Sequence, residues 1–472
     1  MRIAILHYHL RPGGVTRVIE NARLALAAGR DIHIATIAGS EGADALVPEL
    51  DYAPTPADVD VGTLASRLEV AAQRALGGAP DLWHIHNHSL GRHPIATAAF
   101  AELARRGHRL LLQIHDFAED GRPENYRSLR ERWGHDLPRV LYPAASHVHY
   151  ATLNPRDRHA LAQAGVPDSQ LHDLPNPAAP PPGGAPEANA RASLILYPTR
   201  ALRRKNVGEF LLWAALERDG HSFALTLAPT SPADLAPYTR WKAFANRLNL
   251  PVAFEAGLQP NATLPDLLAQ SAAVATTSIA EGFGLSFIEP WLANRSLVGR
   301  ALPEITADLV AGGLQMDDLY ERLDIPLAWI GADRLRARIQ TALQHLASSY
   351  DEPLALESVE KAWQAFVHNS RVDFGRLDEP LQQEVIERLH RDSRSRDEIL
   401  PSNLLPLGES DRRVENRAVV KRLSSLPSYA DRLTSAYHSV AHSATGAVAA
   451  HDAASIRHFF LDPQRLFLLR AD

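Results

Sequence analysis

Two glutamates, Glu281 and Glu289, are separated by seven residues in the stretch SIAEGFGLSFIEPW, Ser278 to Trp291. Gly282 and Gly284 lie between them and let backbone N–H groups approach a ligand closely. A carboxylate on the first or second turn of a following helix can accept two hydrogen bonds from a vicinal diol such as a ribose. One on the loop before it reaches a different part of the same ligand. The plainer alternative is a glycine-rich turn whose second glutamate complements a helix dipole. Pro290 fits poorly into a helix that begins much before residue 288.

Other stretches carry chemistry of the same kind. In YPTRALRRKN, Arg200 is followed five residues later by Lys205. A fixed guanidinium fork and a movable ammonium together could neutralise a pyrophosphate as a leaving group gains charge. The alternative is a solvated basic loop, given Arg203 and Arg204 alongside. Near the amino terminus, HYHLRPGGVTR carries Gly13 and Gly14 between a strand and a helix. Such a helix end favours phosphate, and an ordinary tight turn reads equally well. A third glycine is missing, so this is not the dinucleotide fingerprint. WHIHNH places His84, His86 and His88 at alternate positions, as metal ligands or as a polar strand end facing a cleft. QIHDF puts His115 and Asp116 at the end of an apolar strand, where a histidine can donate to a substrate or serve the structure.

Alternating elements must hold these residues. Strands are expected at 2–8, 31–39, 81–88 and 109–117, with helices at 13–29, 61–77 and 92–106 between them. The stretch LPNPAAPPPGGAPEANA, 174–190, is full of proline and glycine and reads as a linker. The alternation then restarts. Strands are expected at 194–200, 223–229, 250–257, 272–278 and 296–300, with helices at 206–220 and 283–294. Strand–helix alternation at these intervals predicts parallel sheets covered on both faces, and in such sheets ligands bind outside the carboxyl ends of the strands. From 376 onward the pattern changes to an amphipathic helix at 379–392, a charged stretch at 391–417 and short helical pieces.

The chain has 472 residues, 45% of them hydrophobic, and a net charge of -6. That length favours two cores over one. The acidic balance argues against a nucleic-acid binder. There is no cysteine, so disulfides, zinc–thiolate sites and a cysteine nucleophile are excluded. Only four of the 49 basic residues are lysines, which makes Lys205 at a strand end noticeable. The amino-terminal apolar run is short and broken by His and Arg, unlike a signal peptide. The expectation is a cytoplasmic protein.

Taken together, EGFGLSFIE, PGGV, IHDF and RALRRK resemble the retaining glycosyltransferases of the GT-B fold, glycosyltransferase family 4, and stand in that family's order along the chain. LPNP at 174–177 is similar to the segment that leads into the family's hinge. The resemblance covers roughly residues 1–375. It implies an α/β chain with two Rossmann-like doubly wound domains facing a central cleft. The boundaries are 1–175 for the acceptor-side domain, 176–190 for the hinge, 191–375 for the donor domain and 376–472 for a helical extension packing back on the first domain. It also implies roles for single residues. Gly13 and Gly14 approach the donor's phosphate or sugar, and His115 faces the donor sugar. Arg200 and Lys205 hold the diphosphate. Glu281 contacts sugar hydroxyls beside the backbone N–H groups of Phe283, Gly284 and Leu285, and Glu289 holds the ribose. Two departures stand out. Asn206 occupies a position where many members have glycine, and TLAPTSP (226–232) lacks the glycines common after that strand.

The implied activity is transfer of a hexosyl unit from a nucleoside-diphosphate sugar to an acceptor hydroxyl, with retention and without a metal or other cofactor. The acceptor reading is a small soluble molecule, a sugar or an osmolyte precursor. Rival readings are a peripheral-membrane enzyme acting on lipid or polysaccharide, and a nucleotide-sugar-binding protein without catalysis. Base, sugar, linkage and any homo-oligomer stay open.

Overall fold

The computed structural model describes residues 1–27, 31–53, 55, 57–181, 184, 192–259, 262–401 and 410–471. The chain divides into two compact units, one made of Met1–Pro177 with Ser424–Leu461, the other of Ala178–Leu423 with Asp462–Asp472. Within the expected linker, residues 182–183 and 185–190 lie outside the described residues.

The first unit is built on seven strands, β1 (Arg2–Leu6), β2 (His33–Ala38), β3 (Ala45–Leu46), β4 (Leu82–His86), β5 (Leu110–Gln113), β6 (Val148–Thr152) and β7 (Leu171–Asp173). Their spatial order is β3-β2-β1-β4-β5-β6-β7, and every pair is parallel. The strands are near-continuous apolar runs because helices cover both faces. Only Arg2 is exposed in β1, and all of β5 is buried.

The second unit repeats this plan with β8 (Leu194–Arg200), β9 (Ser222–Leu227), β10 (Val252–Ala253), β11 (Ser271–Thr276), β12 (Ser296–Arg300) and β13 (Leu319–Tyr320). The order is β10-β9-β8-β11-β12-β13, again all parallel. In each sheet the order reverses beside the unit's first strand, at the β1/β4 and β8/β11 pairs. A doubly wound sheet opens its binding crevice at such a reversal.

Most expected elements form within a few residues of their anticipated limits, and three differ. The strand expected at 250–257 stops at Ala253, where Glu255 adopts a left-handed φ of 60° and a single helical turn follows. The strand expected at 109–117 ends at Gln113. The helix expected over 283–294 shrinks to Glu289–Leu292, preceded by a tight turn at Leu285–Phe287. Pro290 has no N–H to give to an earlier turn, so the α-helix starts one residue before it.

The stretch 376–472 is shared by the two units. Helix Glu379–Arg391 stays with the second unit, where Leu381, Val385, Ile386 and Leu389 join its main core. Helix Leu426–Ala441 joins the first. Its Tyr429, Leu433, Ala436, Tyr437 and Val440 recur on one face and are buried with Ile3, Ile5, Ile19 and Ala22. Each large apolar side chain so buried contributes about 1.5–3 kcal/mol. Ala449–Ala450 also pairs antiparallel with Pro143–Ala144 inside this unit.

Candidate functional site

At the β8/β11 reversal, two loops meet. One follows β8 and carries a single tight turn, Arg203–Lys205; the other follows β11 and carries Glu281. They are stitched through backbone and hydroxyl groups. Ile279 N–H donates to the Arg204 carbonyl at 2.9 Å, and Thr277 Oγ1 donates to the Lys205 carbonyl at 2.9 Å. The buried Tyr197 hydroxyl donates to the same Lys205 carbonyl at 3.2 Å and lies 2.8 Å from Ser278 Oγ.

This stitching brings charge together. Lys205 Nζ donates to Glu281 Oε1, and Arg204 Nη1 donates to Glu281 Oε2 at 2.9 Å. Arg204 also reaches the Ala280 carbonyl at 3.0 Å. Glu281 is buried, which works against its ionisation, but the charges of Lys205 and Arg204 prevail and hold its carboxyl below the ordinary value. Burial pulls the Lys205 ammonium below its ordinary value, with Glu281 opposing. Glu289 is exposed at the start of the short helix, and its charge also acts on Lys205. Arg200 takes another course: it is exposed at the end of β8 and donates to the Ala228 carbonyl at 3.3 Å. A solvated basic loop is the alternative that the sequence offers for Arg203 and Arg204; in the structure Arg204 joins Lys205 on Glu281.

A buried network fixes the backbone under Lys205. Asn206 sits in the left-handed region, φ 49°, a conformation that asparagine tolerates better than most residues. Its Oδ1 accepts from Gln382 Nε2 at 2.9 Å, and its Nδ2 donates to Glu209 Oε2 at 2.8 Å. Glu209 also binds Arg300 Nη2 at 2.7 Å, and that guanidinium binds Asp373 Oδ1 at 2.8 Å. All three charged side chains are buried.

In the Glu281–Glu289 turn, Gly284 has φ 85°. A Cβ there would approach Ile305 Cγ2 to 2.9 Å and Phe287 Cδ2 to 3.1 Å, so both backbone and space require glycine. Phe283 and Leu285 beside it are half-buried.

The first unit carries its own group at the β1/β4 reversal. His7 follows β1, His84 and His86 lie on β4, and His115 lies just beyond β5; all four are buried. His86 Nδ1 is 3.0 Å from His115 Nε2. His84 Nε2 is 2.9 Å from Gln113 Oε1, and its Nδ1 is 2.8 Å from the Tyr437 hydroxyl. Burial lowers His7 and His84 to about 3 and His115 to about 4, and takes His86 well below the ordinary value. The rings are therefore neutral near pH 7. His88 leaves the strand register after Asn87, whose φ is 61°, and its Nε2–H donates to the Leu141 carbonyl at 2.9 Å. His84, His86 and His88 thus do not form one ligand set. Among the described residues, the group of three potential ligands that does converge is Glu217, Asp219 and His221, after helix Val207–Leu216. Asp116 binds Asn87 Nδ2 at 3.0 Å and pairs with Arg122. Gly13 and Gly14 are exposed, and helix Gly14–Leu26 begins between them with no side-chain cap on its first N–H groups.

These two sheets, each with its polar group at the order reversal, belong to a known architecture. The chain has the GT-B fold. It superposes on a sucrose-phosphate synthase from Thermosynechococcus elongatus with a TM-score of 0.53 and 14% identity, covering 93% of this chain and 98% of that one. It superposes on HepE from Anabaena in complex with UDP-glucose with a TM-score of 0.52 and 15% identity, covering 93% and 100%. In sequence it is 27% identical over 339 residues to a mannosylglucosyl-3-phosphoglycerate synthase from Petrotoga mobilis. That match spans 64% of this chain and 65% of the relative's length. No protein-family model matches the sequence. No helix among the described residues is long and apolar enough to cross a membrane.

Proposed function

We propose that this protein is a glycosyltransferase that moves a hexosyl unit from a nucleoside-diphosphate sugar to a small sugar-type acceptor, with retention of configuration. The observation that carries the reading is the convergence of Lys205, Arg204 and Glu281 at the sheet reversal of the second unit. Two cations there can follow the charge that builds on a departing diphosphate, in a largely desolvated position where such contacts are strongest. Side chains then supply the neutralisation that a divalent metal supplies in other folds. Glu281 orients both cations and, with the backbone N–H groups of Phe283, Gly284 and Leu285, is offered to the sugar. Glu289 on its short helix is offered to the ribose. His115 serves the donor sugar from the first unit, and Gly13 and Gly14 open the backbone near the phosphate. The acceptor hydroxyl attacks from the face the diphosphate leaves, and the leaving phosphate takes its proton, so no separate base is required.

The likeness to a mannosylglucosyl-3-phosphoglycerate synthase supports testing phosphoglycerate-type glycosides first as acceptors. The test is release of nucleoside diphosphate from UDP-, GDP- and ADP-sugars against pooled sugar and phosphoglycerate-type acceptors, with the anomeric configuration of the product read by NMR. Losing one charge-assisted contact at Lys205 in a Lys205→Ala variant is expected to lower turnover about 10- to 100-fold. Arg204→Ala is expected to cost more than Arg200→Ala, since Arg204 shares the carboxylate. Unchanged turnover in Lys205→Ala would refute the reading, as would the absence of transfer with every donor–acceptor pair.

A further inference from the structure

The pair His86–His115 is joined by one hydrogen bond between two imidazoles, 3.0 Å from Nδ1 to Nε2. Only one proton lies between them, and a neutral ring carries one N–H, so the direction of that bond fixes both tautomers. Two arrangements exist. If His115 Nε2–H donates, His86 must carry its own proton on Nε2, and that nitrogen is buried with no partner. A buried N–H without an acceptor is the rarer and costlier orphan. If His86 Nδ1–H donates instead, its Nε2 is a bare lone pair, and the His115 proton moves to Nδ1.

The surroundings hold His86 in place for this. His84, two residues earlier on the same strand face, is pinned by Gln113 and Tyr437, and its ring centroid lies 4.2 Å from that of His86. His7 Nδ1 lies 3.4 Å from the His86 carbonyl, where it can act only as a donor. His115 keeps 9% of its surface, more than His7, His84 or His86. Its Nδ1 is the nitrogen that His86 leaves unengaged.

We propose that His86 is a positioning residue: it donates from Nδ1 to His115 Nε2 and so fixes His115 as the tautomer that presents an Nδ1–H donor. On the glycosyltransferase reading above, that donor is offered to a hydroxyl oxygen of the donor sugar, and the wrong tautomer would offer a lone pair.

The test reads the tautomer directly, with no need of activity. Long-range proton–nitrogen correlation spectra of the full chain, with 15N-labelled histidine, distinguish the two forms, and His115→Gln identifies the signal. The expected result is a neutral His115 protonated on Nδ1. In His86→Asn, whose amide can still donate, that form and the turnover are retained within about threefold. In His86→Leu, which cannot donate, the preference is lost and kcat falls about 10-fold while KM for the nucleotide sugar holds. His115 protonated on Nε2 in the unaltered protein would overturn the proposal, as would an unchanged tautomer in His86→Leu. Should no sugar transfer exist, the spectra still decide the tautomer, so the two readings fail separately.

Discussion

The two sheets share one strand order, yet their reversal points are chemically opposite. The first unit gathers His7, His84, His86 and His115, buried and neutral. The second gathers ion pairs, Lys205 and Arg204 on Glu281 above, and Arg300 with Glu209 and Asp373 beneath. A neutral imidazole can orient a hydroxyl without drawing in a counter-ion. An ammonium beside a guanidinium attracts a phosphate. The same topology thus carries a neutral polar group in one unit and a charged one in the other, and the difference lies in a handful of side chains rather than in the fold.

The largest effect is expected where the charged end is most buried. Arg300→Ala takes from Glu209 its buried cation and leaves Asp373 with Arg376 at 4.0 Å, and breaking such a buried pair typically costs about 3–5 kcal/mol. For a unit of this size that lowers the melting temperature by roughly 10 °C. Because Glu209 also holds Asn206, turnover should fall even at temperatures where the variant stays folded. Calorimetry and activity on the same preparation check this. If Arg300→Ala melted like the parent, the network would be a bystander and the account of the Lys205 loop would lose its foundation.

How much of this was legible beforehand depends on sequence distance. The alternation of apolar strands and amphipathic helices is local and could be read directly, as could the Glu281–Glu289 turn. Arg200 and Lys205 stood out by spacing, but Arg204 did not. Three consecutive basic residues look like one solvated patch. A tight turn with about three residues per repeat fans them apart, so Arg203 faces Glu379 at 3.3 Å while Arg204 and Lys205 share Glu281. Glu209 and Asp373 lie 91 and 73 residues from Arg300, and nothing local marks them as partners. The division of residues 376–472 between two units was equally hidden, because an amphipathic helix such as Leu426–Ala441 declares an apolar face without saying what covers it.

A smaller effect separates the two units by pH. His7, His84 and His115 of the first unit titrate near 6.5 when unfolded and near 3 or 4 when folded. The unfolded chain therefore binds more protons between those values, and stability present above pH 6.5 is lost as pH falls toward 4. In the second unit, Glu281 and Asp373 are held below ordinary carboxylate values, so their contribution survives until pH drops below about 4.5. Hydrogen exchange at about pH 7.5 and about pH 5.5 should show β4 and β5 losing protection before β8 and β11. Equal losses in both units would erase the contrast drawn above.

The smallest expected effect runs in the opposite direction and comes from Glu119, four residues beyond His115. Its Oε2 accepts from the Tyr142 hydroxyl at 3.0 Å, while its buried Oε1 has no partner. Burial raises this carboxyl to about 7, with Tyr142 and the charge of Arg457 opposing. The folded chain thus holds a proton that the unfolded chain releases near 4.5, and stability falls as pH rises between those values. A glutamine side chain at this position would mimic the protonated form, since an unpartnered amide N–H2 replaces an unpartnered O–H. Glu119→Gln is therefore expected to melt a few degrees higher than the parent at about pH 8 and to converge with it toward about pH 4.5. The convergence matters more than the size of the gain, because a packing effect of the amide would persist at every pH, whereas a buried carboxyl must lose its handicap once it is protonated in both states.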